Sequence, residues 1–332
     1  MTTLRVLLHV AAERDYELHS LDFSTAFLYG SMHEEILLRR PPGFTGSFPA
    51  GSLWSLQRPV YGLRQAPREW RDTLRTMLAA LGFAHSSADP SLFLRTDTSL
   101  PSFYLFVYVD VLVLSTADSE APNLVKSELQ KRHMHNLGPS ALRLPVLLAI
   151  VHSSAYRSLA LSSTFGRVRR ANILARYVAP GRHRPEHWEA AKRVLRYLCS
   201  TSGMGLVLGG RGPIVPTGHI EASSVDDLAT ERSSQGYTFS LGSGFVSWQS
   251  TRSSSVLSSS CEAEIYARAM AAQELRWFTY LLTDLGERPR SPPVLYVDNK
   301  AMIALCQEHI LEHRTKHITL RYFLARELQQ RG

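Results

Sequence analysis

A single acid, Asp110, interrupts an apolar run at residues 104–115, YLFVYVDVLVLS. The run is short and rich in valine, leucine, tyrosine and phenylalanine, which predicts a strand that is largely buried on both faces. A carboxylate is costly to remove from water unless something pairs with it, and a bound metal ion is the usual reason to keep one there. Asp110 is therefore the first candidate for a metal-binding residue.

A second set of possible ligands is formed by His309, His313 and His317, which recur every four residues and would share one face of a helix. That spacing could hold Zn²⁺. No cluster of acids or cysteines completes a tetrahedral set, so structural zinc is the less favoured interpretation. The three cysteines of the chain are widely spaced, which argues against a disulfide framework and for a reducing compartment.

The composition indicates a folded protein that has enough apolar residues for proper cores. The 332 residues favour two domains, and 44% of them are hydrophobic. Lys and Arg outnumber Asp and Glu by 37 to 29, a basic excess that suits a nucleic-acid partner without requiring one. No segment has the length of a membrane span or the layout of a signal peptide, so a soluble protein of the cytoplasm or nucleus is expected.

The first 150 residues alternate between predicted helices and strands. The pattern predicts an amphipathic helix at 4–15, a strand before a turn at Gly30, a short strand in EEILLRR and a long helix that ends near Leu81. Two strands and a charged helix in SEAPNLVKSELQKRHM follow. Because the strand at 104–115 is expected to pair with its neighbour in a hairpin, the fold class is α+β and not doubly wound.

The second half begins with a stretch of unclear pattern. Residues 151–186 combine serine, arginine and proline with weak periodicity and predict a degenerate junction. Beyond it come a helix in HWEAAKRVLRYLCST and strand candidates in GMGLVLGG, PIVPTGHIEAS, GYTFSLGSGFVSWQS and SSVLSSS. A helix at 260–285, a strand in VLYVDN and a helix from about residue 300 complete the order, which describes an RNase H-like domain.

Several blocks of the sequence also resemble a known family. LDFSTAFLYGSMHEEILLRRPPGF, VYGLRQAPREW, GFAHSSADPSLFLR and YVDVLVL resemble, in order, the reverse transcriptase of copia-type LTR retrotransposons. HWEAAKRVLRYLCST, SSQGYTFSLGSGFVSWQS, SSSCEAEIYA, LYVDNKAMIAL and RTKHITLRYFLARE resemble the downstream RNase H of the same polyprotein. The blocks cover most of the chain, and their shared order makes the resemblance specific.

The resemblance implies a polymerase site in which two Mg²⁺ or Mn²⁺ ions act during in-line displacement. Asp22 matches the carboxylate at the end of the first palm strand, and Asp110 matches the first of two adjacent carboxylates at a hairpin tip. Val111 stands where the second of those two is expected, and valine cannot coordinate a metal. Polymerase activity is therefore expected to be lost. On the residues alone, Asp22 as a cap and Asp110 as a surface acid remain open.

Three further palm residues follow from the resemblance. Phe27 matches the steric gate beside the nucleotide sugar, although an ordinary core aromatic is an equal alternative. Gln65 matches a residue that lines the nucleotide and template pocket, and Arg64 could meet phosphate or remain a solvated charge. Few residues precede Asp22, and the chain has too few to build a thumb, so the palm is expected to be truncated and to hold template and primer poorly.

For the nuclease half, the resemblance places metal ligands at strand ends. Glu221 matches the first-strand aspartate with one added methylene, and Ser223 stands where a second acid is usual. Asp298 matches the third ligand, with a simple N-cap as the alternative. Thr319 replaces the fourth acid, and His317, in HRTKH, matches a histidine that would aid product release or position phosphate.

Two glutamates in SSSCEAEIYA need to be told apart. Ser259 followed three residues later by Glu262 is a capping box, which favours Glu262 as a helix-start residue. Glu264 stands in the E-x-x-A pattern of the family's catalytic glutamate, with Ala267 next on that face. We therefore expect Glu264 to be the metal ligand of the pair.

The predicted protein is a truncated reverse transcriptase palm at 1–150, the junction at 151–186, and a connection helix with an RNase H-like domain at 187–332. Its expected activity is residual metal-dependent cleavage of RNA in RNA–DNA hybrids by Glu221, Glu264 and Asp298. The alternative is a catalytically dead protein that binds a hybrid or template-primer through a basic run, with no membrane contact. That run comprises Arg167, Arg169, Arg170, Arg176, Arg182, Arg184, Lys192, Arg193 and Arg196.

Overall fold

The computed structural model divides the chain into two compact units. It describes residues 1–23, 25–39, 43, 49, 52–118, 120–130, 134–139, 185–200, 206–209, 214–227, 232–242, 244–253 and 260–297. Tyr16–Arg143 form one unit, which we call the central unit. Met1–Asp15 together with Leu144–Gly332 form the other, which we call the terminal unit, so the first helix, α1 (Thr2–Arg14), belongs to the terminal unit.

The central unit is built on antiparallel strands. In chain order they are β1 (Glu17–Phe23), β2 (Leu37–Arg39), β3 (Leu53–Ser55), β4 (Phe83–His85), β5 (Leu92–Arg95), β6 (Phe103–Tyr108), β7 (Val111–Thr116) and β8 (Met134–Pro139). Six of them form one sheet in the order β4-β5-β6-β7-β1-β8, while β2 and β3 pair separately. Every neighbouring pair of the large sheet is antiparallel, and the predicted α+β class is confirmed for the unit.

Two helices of the central unit contribute to its hydrophobic core. Helix α2 (Ala66–Ala80) buries Trp70, Leu74 and Leu78, whose spacing of four residues places them on one face. Helix α3 (Ala121–Gln130) contributes Ala121, Val125 and Leu129 by the same spacing. The core lies where these helix faces meet one side of the large sheet, and it fixes β1 and β7 at the sheet's interior.

The predicted single strand at 104–115 is wrong, because the structure breaks it into the hairpin of β6 and β7. Tyr108 pairs with Val111, so the turn consists of only Val109 and Asp110. Two-residue hairpin turns usually require a residue with positive φ, supplied by glycine or asparagine. Here Val109 takes that conformation with φ 58°. The turn therefore has neither glycine nor asparagine, and Asp110 is its single polar residue.

Within the part of the terminal unit that the structure describes, there are a four-stranded mixed sheet and two further helices. Its strands are β9 (Pro216–Asp227), β10 (Arg232–Leu241), β11 (Gly244–Arg252) and β12 (Val294–Val297), and its helices are α4 (Pro185–Ser200) and α5 (Ser260–Asp284). The strand order is β11-β10-β9-β12, with β12 parallel to β9 and the other pairs antiparallel. The predicted helices at α4 and α5 are confirmed. The strand expected in GMGLVLGG is absent from its described part, residues 206–209.

Helix α5 packs on β9 and β10 through small and aromatic side chains. Ala263, Ala267 and Ala271 have no exposed surface, which lets the helix backbone approach the strands closely. Farther along, the ring of Phe278 lies 5.4 Å from that of Phe239 on β10. The face of the sheet that carries Phe239 is therefore the face that α5 covers.

Helix α1 is confirmed as a helix, but the predicted amphipathic character is wrong. Leu4, Val6, Leu7 and Val10 are at most 1% exposed, and the polar His9 has no exposed surface. Buried positions on all sides of the first three turns indicate an internal helix with no open solvent face. The sequence pattern suggested a solvent face because polar residues recur along the helix.

Polar contacts hold α1 to the strands and loops of the terminal unit. The Arg5 guanidinium lies 3.8 Å from the ring centroid of Trp248 on β11. Arg14 donates to both carboxylate oxygens of Glu287, at 2.5 and 2.6 Å. The backbone N–H of Gly209 donates to His9 Nδ1 at 3.1 Å. The helix groups with residues beyond 143, whereas the sequence predicted a first domain over 1–150.

Some predicted features lie outside the described residues. They are most of the junction at 151–186, the strand in SSVLSSS, the helix from about 300, and the individual positions Asp298, His309, His313, His317 and Thr319. Among the described residues, no helix combines the length and the apolar character that crossing a membrane requires.

Candidate active site

Asp22 and Asp110 come from neighbouring elements of the central sheet. Asp22 lies near the end of β1 and is half-buried, and its Cα partner across the strand pair is Val111 at the start of β7. Asp110 precedes Val111 in the hairpin turn and is also half-buried. The backbone N–H of Phe23 donates to the carbonyl oxygen of Asp110 at 2.9 Å. The hydrogen bond joins the two acid-bearing segments directly.

Val111 occupies the position from which a third carboxylate would face Asp22. Directly opposite residues of an antiparallel pair place their side chains on the same face of the sheet. Leu21 and its partner Leu112 are core residues, so Asp22 and Val111 share the other face. Valine offers no ligand there, and the described part of the chain has no group of three or more His, Cys, Asp or Glu residues that could hold a metal ion.

The pKa of the Tyr61 phenol depends on both acids. Burial raises the pKa of the Tyr61 phenol, and the negative charges of Asp110 and Asp22 raise it further. The charges of both carboxylates therefore act on the same phenol, and the raised pKa keeps that phenol protonated at neutral pH. The sequence reasoning missed Tyr61, although it lies four residues before Gln65 in the block VYGLRQAPREW.

Phe27 lies beneath this cluster. Its side chain is 7% exposed and belongs to the central core, as the core-aromatic alternative proposed. Its ring also lies 4.4 Å from the ring of Tyr61, which is 56% exposed. Phe27 thus supports the floor of the acidic site, and its contact with a nucleotide sugar stays a prediction.

Gln65 and Arg64 lie at the start of α2. Gln65 Nε2 donates to Glu34 Oε2 at 3.0 Å, a partner that the sequence did not suggest. The side chain of Arg64 is exposed. Their predicted roles with nucleotide and phosphate remain open, because Gln65 would have to exchange Glu34 for a ligand.

The hairpin turn is also attached to α2. The indole Nε1–H of Trp70 donates to the carbonyl oxygen of Val109 at 2.6 Å. Trp70 is 2% exposed, and its ring meets that of Phe23 at 4.8 Å in an edge arrangement. This contact could not be predicted from the sequence, because a tryptophan on a helix is usually an ordinary core residue.

The nuclease candidates in the terminal unit have contrasting surroundings. Glu221 on β9 is exposed, whereas Glu264 on α5 is 6% exposed. Gly218 is the partner of Phe239, so Gly218 and Ile220 lie on the face that α5 covers. By strand alternation the Glu221 side chain lies on the opposite face. The Glu221 side chain therefore points away from the face of the sheet on which α5, the helix that carries Glu264, packs.

Three other nuclease positions are described only in part. Glu262 lies in the first turn of α5 and is 8% exposed, in keeping with a helix-start residue, while Ser259 lies outside the described residues. Ser223 is on β9, opposite Ser234. Val297 pairs with Ile220, and the next residue along, Asp298, lies beyond the described range.

Only three members of the predicted basic run are described, all on α4. Arg193 and Arg196 are exposed, and Lys192 forms an ion pair with Glu189 one turn earlier. This part of the run has the character of a solvated helix surface. Its role in binding nucleic acid stays a prediction.

Comparison with known proteins gives a consistent result. Residues 1–161 match the family described as reverse transcriptase (RNA-dependent DNA polymerase). The retrovirus-related Pol polyprotein from transposon RE2 of Arabidopsis thaliana is 31% identical over 388 residues, which covers 100% of this chain and 26% of that polyprotein. The Pol polyprotein from transposon RE1 of the same plant is 30% identical over 383 residues, with 100% and 26% covered. That from transposon TNT 1-94 of Nicotiana tabacum is 28% identical over 391 residues, with 99% and 29% covered.

The chain is much shorter than these polyproteins, and it lacks positions within the region that aligns. The chain spans about a quarter of the relatives' length, 26% of the RE2 and RE1 polyproteins. The RE2 alignment runs over 388 positions and the chain has 332 residues, so at least 56 positions of that relative have no counterpart here.

Proposed function

The chain belongs to the copia-type retrotransposon Pol family, with its reverse transcriptase segment at residues 1–161, and from that premise we propose that the central unit keeps a site for one divalent cation but has lost DNA polymerisation. The ancestral activity of such a segment is RNA-directed DNA polymerisation. Its substrates would be a template-primer and nucleoside triphosphates, whose negative charge suits a chain with a net charge of +8.

The main support for this proposal is that Asp22 on β1 pairs with Val111 on β7. Polymerisation of this kind normally uses two metal ions, which stabilise the attacking and leaving oxygens of the displacement. Asp22 and Asp110 together supply enough oxygen ligands for one Mg²⁺ or Mn²⁺ with bound water. They do not supply the shared ligand for a second ion, since the residue that faces Asp22 is a valine.

The surrounding residues can still bind and orient a ligand. The Tyr61 phenol keeps its proton near the two acids, and its exposed position would let it donate a hydrogen bond to a phosphate oxygen. Phe27 supports the Tyr61 ring from below. These contacts would orient a nucleotide without completing the ligand set that phosphoryl transfer needs.

The test restores the missing ligand. Mn²⁺ binding, followed by electron paramagnetic resonance, should give one site in the natural chain, none in Asp22→Asn, and two in Val111→Asp. Val111→Asn, similar in size to the aspartate but uncharged, is the matched control and should stay at one site. Primer extension should be absent from the natural chain. Extension by the natural chain that disappears in Asp110→Asn would refute the proposal.

A second candidate function is cleavage of RNA in an RNA–DNA hybrid by the terminal unit. Support comes from the strand order β11-β10-β9-β12 with a parallel β12, which suits an RNase H-like sheet. Support also comes from alignments to Pol polyproteins that extend past residue 161. The direction of Glu221, away from the face that α5 covers, counts against cleavage and favours binding of the hybrid without it.

Cleavage of a labelled hybrid in Mg²⁺ and in Mn²⁺ separates these alternatives. Activity that disappears in Glu264→Gln would support a surviving nuclease. Hybrid binding without cleavage, from folded protein, would leave recognition of nucleic acid as the function of this unit. Neither outcome depends on the cation site of the central unit.

A further inference from the structure

The turn that carries Asp110 has a strained backbone. Val109 has φ 58°, in the left-handed region that β-branched residues avoid. Such a strained conformation persists only where the surroundings enforce it. The Val109 side chain is 48% exposed, so its own burial does not provide that restraint. Other contacts must hold the turn.

Two hydrogen bonds supply the restraint, one on each side of Asp110. Trp70 Nε1–H donates to the Val109 carbonyl oxygen at 2.6 Å, and this oxygen belongs to the peptide plane before Asp110. Phe23 N–H donates to the Asp110 carbonyl oxygen at 2.9 Å, and this oxygen belongs to the plane after it. Because peptide planes are rigid, fixing both planes fixes the two backbone torsions of Asp110 and the direction of its Cα–Cβ bond.

Trp70 is itself held firmly enough to act as an anchor. It lies on the buried face of α2, is 2% exposed, and contacts Phe23 ring to ring at 4.8 Å. Phe23 directly follows Asp22 on β1. The same pair of aromatic residues therefore touches both segments that carry the acids.

We propose that Trp70 is a positioning residue, which holds the Val109–Asp110 turn in its strained form and so keeps the Asp110 carboxylate beside Asp22. The part of this inference that concerns cation affinity rests on the one-cation function proposed above. The part that concerns the turn stands without it. Trp70 touches neither cation nor substrate and acts only through the backbone of Val109.

The experiment uses the full chain with Trp70→Phe, Val109→Gly and the double variant. Phenylalanine keeps the ring but removes the donor, and glycine adopts positive φ without strain. The first readout is amide exchange of residues 107–112 without metal, and the second is Mn²⁺ affinity. Trp277→Phe, which removes a tryptophan from α5, is the matched control.

Trp70→Phe should speed exchange at the turn and weaken Mn²⁺ binding, each by about fivefold, as expected for the loss of one hydrogen bond. Val109→Gly in the Trp70→Phe background should restore most of both, because glycine makes the restraint unnecessary. The Trp277→Phe control should change neither. A general packing defect at Trp70 would not be rescued by a change at the exposed turn.

The outcomes separate the two proposals. If the natural chain binds no Mn²⁺, the one-cation function fails, while the exchange data still decide the role of Trp70. If turn exchange is unchanged in Trp70→Phe, or if Val109→Gly rescues neither exchange nor affinity, the positioning role is overturned.

Discussion

Replacing Arg5 by methionine should leave the stability of the terminal unit nearly unchanged, although Arg5 is a buried charge in contact with an aromatic ring. The side chain is 4% exposed and its guanidinium lies over Trp248. Nη2 donates to Thr2 Oγ1 at 3.3 Å. Nε and Nη1 find no hydrogen-bond partner among the described residues. The charge is therefore buried with only part of its hydrogen-bonding capacity used.

The small change in stability follows from one unfavourable and two favourable contributions of the Arg5 charge. Burial lowers the pKa of Arg5 well below its usual value, to about 10, with Glu274 opposing the shift. At about 1.4 kcal/mol per pKa unit, keeping the charge costs roughly 3 kcal/mol in the folded state. The cation–π contact returns about 2 kcal/mol when desolvated, and the hydrogen bond to Thr2 about 1 kcal/mol. The sum is close to zero.

Methionine keeps an unbranched stem of similar length, so Arg5→Met should change the free energy of unfolding by less than about 1 kcal/mol. Arg5→Ala also removes the packed stem and should cost about 2–4 kcal/mol. Amide exchange of β11 measures the local free energy of unfolding for both variants. A loss above about 2 kcal/mol in Arg5→Met would show that the guanidinium is a net stabiliser and would refute the estimate.

Three further predictions concern the same unit. Glu287→Gln should cost about 1 kcal/mol by weakening the two-point contact with the half-exposed Arg14, and the loss should shrink in an Arg14→Gln background measured by urea unfolding. Burial lowers the pKa of His9 below its usual value, so the neutral ring is favoured in the folded state. The stability of the unit should therefore fall as the pH drops below about 6.5. His9→Asn should remove this pH dependence of the melting temperature. Gly218→Ala places a methyl group against the Phe239 ring and should cost about 1–3 kcal/mol in thermal unfolding, and an unchanged melting temperature would contradict the packing described here.

Regular elements with clear periodicity could be predicted from the sequence alone. Helices α2, α4 and α5 repeat their apolar residues at helical spacing, and their ends fall within a few residues of the predicted ends. The turn of the hairpin at 104–115 could not be predicted from the local pattern, because it has a valine where glycine or asparagine is usual. The local sequence does not indicate such a turn, because the residue that stabilises it, Trp70, lies 39 positions away along the chain.

The residues of the candidate site could likewise be predicted only in part. The positions of Asp22 and Asp110 followed from a resemblance to known motifs, and the structure places them on adjoining segments. Tyr61 and Trp70 were missed, since neither their type nor their spacing indicates which backbone or charge they meet in the fold. Glu221 and Glu264 were paired by motif, but alternation along β9 points Glu221 away from the face that α5 covers.

The membership of α1 in the terminal unit has a consequence for synthesis of the chain. Arg14 and its partner Glu287 are 273 residues apart in sequence. At roughly 5–20 residues per second, a ribosome needs about 14–55 s to make the second after the first. β11 begins at Gly244, 230 residues after Arg14, so for about 12–46 s of that interval Leu4, Val6, Leu7 and Val10, all buried in the finished protein, lack this strand. The nascent chain therefore presents an apolar helix for tens of seconds at the slower rates, long enough for a chaperone to bind it before β11 is made.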